Sequence, residues 1–133
     1  MGAPPVNQKG VDNYYRTITR LDSAGVVLVP GTDNTSGATY VAELECYVHA
    51  GIAPAKVLQM ATITSARVMR DDASNGSIAV GKVADILVVN GKPTERIGDL
   101  RNIAQVIRAG RVYTPTELRE AIGIRATQPG TPR

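Results

Sequence analysis

Apolar positions set out most of the elements in this chain. Val11, Tyr14, Tyr15, Ile18 and Leu21 recur at helical spacing over residues 11–24. Asp12 is placed to cap the start of this predicted helix, and Gly25 follows as its C-terminal stop. Residues 1–10, rich in Gly, Pro, Asn and Lys, read as a loop or frayed end. The run VVLV at 26–29 has a different character. It is short, rich in β-branched residues and unbroken, the pattern of a strand buried on both faces of a parallel sheet. It stops at Pro30, and the turn GTDNTSG then presents Thr32, Asp33 and Asn34. Helical spacing resumes over 38–50, with Val41, Leu44 and Val48 on one face and Gly51 as the stop. GIAPAKVLQMAT predicts a third helix with Pro54 in its first turn, and Thr62 or Thr64 begins a short fourth one that runs to about Met69.

The pattern changes at Asp71. DDASNGSIAVGK is rich in turn formers, and ADILVVNG reads as a strand over 86–89 followed by an Asn-Gly turn. IAQVIRAGRVY predicts strands at 104–108 and 111–113, joined at Ala109-Gly110 by a tight hairpin. TPTELREAIGI has a capped helix start at Thr116, and TQPGTPR frays. Three strands suit a small antiparallel sheet. The run at 26–29 does not belong to that group, because a parallel-type strand needs neighbours on both sides. The expected class is α/β, with that strand calling for partners absent from these residues.

The chain has 133 residues, 43% of them hydrophobic and 20% charged, which fits a globular domain. It contains neither Trp nor Phe, so Val, Ile, Leu, Ala and Met must build the core. The net charge of +3 is spread among acids, without a concentrated basic face, and nucleic acid is not an expected partner. Cys46 is the sole cysteine, which excludes an internal disulfide. No apolar run approaches the ~18 residues of a membrane span. The opening MGAPPVNQKG lacks the apolar segment of a signal peptide, so the expectation is a cytoplasmic protein that does not engage a membrane.

The ordered segments GVVLVPGTDN, ELECYVHAGIAPAKVLQMATITSARVM, NGSIAVGKVADILVVNGKP and VIRAGRVY resemble the amidohydrolase superfamily. The resemblance is to its imidazolonepropionase-like and prolidase-like branch of metal-dependent hydrolases. It extends from about Tyr14 to Tyr113 and matches the last third of such an enzyme. The most specific part is the stretch from Gly76 to Ile86, which follows an A-T-x-x-x-A helix and precedes the closing strands.

The resemblance implies a (β/α)8 barrel with an associated small β-sandwich built from both ends of the chain. Residues 1–70 would then be the last part of the barrel, with 26–29 as its eighth strand. Residues 71–113 would supply the returning sandwich strands, and 114–133 a helical start and frayed tail. Asp33, just past the C-terminal end of the eighth strand, would be a catalytic residue that ligates a divalent metal, zinc being the expected one, and accepts a proton from the attacking water. Active sites of barrels lie at that end of the strands. The family's other ligands are a His-x-His pair, a carboxylated lysine or glutamate, and two further histidines. All belong to earlier strands. A histidine that some relatives carry before the Glu-Leu of the next helix is missing here, where the sequence reads TYVAEL.

Without the resemblance, Asp33 in a GTDNTSG turn is more often a turn or cap residue than a ligand. His49, two residues before the Gly51 stop, suits a helix C-terminus. Cys46 reads as an inert packed thiol, Glu43 and Glu45 as solvated, and Asp85 as a sheet-edge acid bonded to backbone. Two functions follow. One is the carboxyl-terminal portion of a hydrolase acting on C–N bonds of a small-molecule or peptide substrate. The other is a non-catalytic association module derived from such an enzyme. In both, this chain alone is expected to hold no metal, to be inactive and to self-associate, because an unpaired barrel strand is a template for pairing.

Overall fold

A computed structural model describes residues 8–33 and 37–124. The element order is α1 (Gln8–Ser23), α2 (Gly37–His49), α3 (Pro54–Gln59), a π-helical turn (Met60–Thr64), α4 (Ser65–Val68), β1 (Ile86–Val89), a 3-10 turn (Ile97–Arg101), β2 (Ile103–Arg108), β3 (Arg111–Tyr113) and α5 (Pro115–Ala121). None of the described helices is long and apolar enough to cross a membrane.

The first helix begins at Gln8, earlier than its apolar spacing predicts. Asp12 is therefore an interior residue, accepting a hydrogen bond from Gln8 Nε2 at 3.0 Å, and not a cap. Helix α2 ends as expected. Gly51, at φ +93°, turns the chain while the amide of Ile52 bonds back to Tyr47. The predicted third and fourth helices are one continuous helical run. The π turn at Met60–Thr64 joins α3 to α4 without a break, and Ser65 Oγ donates to the carbonyl of Met60, five residues back, at 2.7 Å. At the other end the cap is Thr114 instead of Thr116. Its hydroxyl accepts from the amide of Glu117 while the Glu117 carboxylate accepts from the amide of Thr114, a reciprocal pair with Pro115 in the first turn. The chain ends expected to fray lie mostly outside the described residues, as does the second half of the GTDNTSG turn.

The three strands form one antiparallel sheet in the order β1-β2-β3. Leu87 faces Val106, and the register shifts by a bulge between Val88 and Val89. The β2–β3 connection is the predicted tight hairpin. Ala109 and Gly110 both take positive φ, +48° and +81°, as a two-residue turn matched to strand twist requires. Asp85 stabilises that turn from outside, its Oδ1 accepting from the amide of Ala109 and its Oδ2 from Arg108, each at 2.7 Å. Asp85 is thus a backbone-bonding acid at the sheet edge, as read from the sequence.

Residues 26–29 correct the strand expectation. They belong to no ladder among the described residues. Val26, Val27 and Val29 are 46%, 65% and 37% exposed, where a buried barrel strand would be covered on both faces. The cause is a lack of strand neighbours, since the three strands among the described residues pair with one another and the run keeps only the bond from the amide of Val26 to the carbonyl of Leu21 at the end of α1.

The core lies in the helical layer. Ile18, Leu44, Tyr47, Ala50, Ile52, Val57 and Met60 pack together, and Ile97 of the 3-10 turn joins them from the sheet side. That turn is pinned to α2 by the Arg101–Glu45 ion pair at 2.7 Å. Buried beside it, the Asp99 carboxylate accepts from the amide of Lys92 at 2.8 Å and from Arg96 at 3.1 Å. The Lys92 amide, followed by Arg96, holds the Asp99 carboxyl below the usual range, against the opposing effect of burial. A carboxylate with a depressed folded-state pKa stabilises the fold above its unfolded value, near 4, and loses that contribution as pH falls through the folded value. Asp99→Asn is therefore expected to melt well below the wild type at pH 6 and to approach it at pH 3. Paired thermal melts check this, and a gap that does not narrow in acid would refute it.

Candidate functional site

The site is built around the turn that follows residues 26–29. Pro30 ends the apolar run, and Asp33 comes three residues later, exposed and at φ +44°. That left-handed backbone is uncommon for residues other than glycine, though Asp and Asn are enriched among those that adopt it. The acid singled out from the sequence therefore stands at the surface on a sharply turned backbone. Beside the apolar run lies an open hollow of about 230 Å³, flanked by Val26, Val27, Leu28, Met60 and the Lys56–Asp22 ion pair at 2.6 Å.

Helix α2 supports this turn. The amide of Gly31 donates to Glu43 Oε1 at 2.9 Å. Tyr47 is among the buried residues, and its phenol is pushed up to about 12, first by burial and then by the charge of Glu43. Burial and then Glu43 also raise the Tyr40 phenol. Glu43 and Glu45 are thus both engaged, one with Gly31 and the other with Arg101, which corrects the expectation that they are simply solvated. Nothing local in the sequence marks Glu43, because its contact with Gly31 spans twelve residues.

Two further residues weighed from the sequence take structural roles. His49 Nδ1 lies 2.8 Å from the carbonyl of Glu45, and its ring stacks on Tyr15 with centroids 6.1 Å apart. Cys46 is half-buried on α2. Neither is brought to Asp33 as part of a ligand set. Among the described residues no group of three or more His, Cys, Asp and Glu side chains could hold a metal ion. A hydrolytic zinc site takes about three protein ligands and a water. One exposed carboxylate does not meet that requirement, so the described residues do not by themselves fit a catalytic metal.

Known proteins supply the context for this turn. The imidazolonepropionase of Symbiobacterium thermophilum is 28% identical over 109 residues, which make up 74% of this chain and 25% of that protein. A Xaa-Pro dipeptidase, solved with methionine bound in its active site, superposes with a TM-score of 0.71 at 33% identity, covering 75% of this chain and 25% of that one. Molinate hydrolase shares the fold over 90% of this chain with a TM-score of 0.69, at 23% identity. The chain thus spans about a quarter of the length of the first two proteins it matches. The model of the amidohydrolase family matches residues 6–114, the greater part of the sequence, and the chain therefore belongs to that family.

Proposed function

We propose that these residues are the carboxyl-terminal part of a metal-dependent hydrolase that cleaves C–N bonds in an amide, peptide or cyclic amide. Asp33 would be the acid they contribute, as a ligand of a divalent metal, zinc being the expected one, and as acceptor of the proton lost by the attacking water. Residues 1–70 would close the barrel and 71–113 would belong to the small sandwich. The observation that carries this reading is the placement of Asp33. In a chain of the amidohydrolase family, it stands exposed on a left-handed turn three residues after Pro30, which ends an apolar run that no strand among the described residues covers. The names of the similar proteins, an imidazolonepropionase and a Xaa-Pro dipeptidase, support C–N bonds as the class of substrate.

A protein carrying these residues behind the family's earlier strands is expected to hydrolyse substrates of this class and to stop when a chelator removes its metal. Turnover that survives complete metal removal would overturn the reading. The 133 residues on their own are expected to retain well under one equivalent of zinc after dialysis, because the donor count falls short of the ~3 protein ligands required.

A second reading, a non-catalytic association module, has its own support in the exposed apolar run at 26–29. Backbone outside any ladder beside exposed Val side chains favours pairing with another copy. Light scattering of the isolated chain tests it, and a clean monomer at high concentration would count against it.

A further inference from the structure

Glu43 stands where a rigid helix meets the turn that carries Asp33. Its neighbour Leu44 is 1% exposed and anchors α2 in the core. The Gly31–Glu43 hydrogen bond at 2.9 Å ties the turn to that helix. A carboxylate accepts and does not donate, so Glu43 is suited to take the Gly31 N–H. Asp33 lies two residues beyond Gly31 in a backbone conformation that L-residues rarely hold unless their surroundings impose it.

We infer that Glu43 is a positioning residue for Asp33, fixing the turn through the amide of Gly31 so that the Asp33 carboxylate is presented in one place. The inference rests on the catalytic reading of Asp33 proposed above. Glu43 does not meet the substrate in this account. Its effect passes through the backbone from Gly31 to Asp33.

Two measurements test it, with Glu43→Ala and Glu43→Gln as the variants. Gln keeps one acceptor oxygen and the same length, and so retains the tether in part. In the 133-residue chain, amide exchange at Gly31 is expected to quicken at least about tenfold in Glu43→Ala, the scale of a lost hydrogen bond to a charged group, and much less in Glu43→Gln. In the full-length enzyme, Glu43→Ala is expected to lower kcat by about 10²-fold, the effect of an ångström-scale misplacement, with KM little changed and with partial rescue in Glu43→Gln. Wild-type exchange at Gly31 in Glu43→Ala, or wild-type kcat there while Asp33→Asn is inactive, overturns the inference alone. Turnover retained in Asp33→Asn overturns the catalytic reading of Asp33 first, and this inference with it.

Discussion

Asp33→Asn is expected to lower the turnover of the proposed hydrolase by at least about 10²–10⁴-fold, the range set by loss of a positioned proton acceptor. Loss of a metal ligand would add to this. The substitution is informative because it changes so little else. Asn has nearly the size of Asp, and both tolerate the left-handed conformation that the chain adopts at φ +44°. The side chain is exposed, so the core is not disturbed. What disappears is the negative charge and the oxygen able to take up a proton. Steady-state kinetics beside a thermal melt separates the two levels, with the melt expected to match the wild type. Near-normal turnover in a folded variant would rule out the proton-acceptor role.

Gly76→Ala is expected to destabilise the fold by about 2–5 kcal/mol, the sum of a left-handed penalty of ~1–2 and an overpacking penalty of ~1–3. Gly76 lies at φ +83°, where the loop from residue 71 crosses the π turn. A Cβ there would come within 2.6 Å of Ala66 Cβ, 2.9 Å of Ile63 Cα and 3.2 Å of the Thr62 carbonyl. Two of these are backbone atoms, and Ala66 is itself buried, so no flexible side-chain end can swing aside. Gly51→Ala serves as the control. Gly51 has a similar φ of +93°, but a Cβ there would meet nothing within 4 Å, so only the backbone cost of ~1–2 kcal/mol applies. Urea denaturation of the two variants isolates the contact, and equal losses would show that the crossing can relax.

The sequence made the periodic elements readable and the long-range ones unreadable. Helix α2, the sheet strands and the Ala109-Gly110 hairpin follow from local spacing and turn chemistry, and they lie where those signals place them. Asp33 is conspicuous because an acid stands in the turn that closes an apolar run. The cap at the last helix was misplaced by two residues, since Thr114 and Thr116 both precede acids and only the backbone decides between them. Residues 26–29 carry a strand signature that these residues cannot satisfy, because composition encodes a preference for burial and a ladder also needs partners. Glu43 and Asp99 were missed for a common reason. Each bonds an amide that lies elsewhere in the chain, at Gly31 and Lys92, and no spacing rule connects such pairs.

The division of burial between the two layers has a kinetic consequence. The residues that form the core belong to the helices, the α2–α3 connection and the 3-10 turn, while Leu87, Val88, Ile103 and Val112 on the strands are each more than a third exposed. Resistance to local opening follows buried contact more than the presence of ladder bonds. Amide protons of β1 to β3 should therefore exchange with deuterium well ahead of those around Leu44 and Val57, although both sets are hydrogen-bonded. A limited protease would correspondingly find its first cuts in the sheet half, leaving the helices from α1 to α4 as the more persistent product.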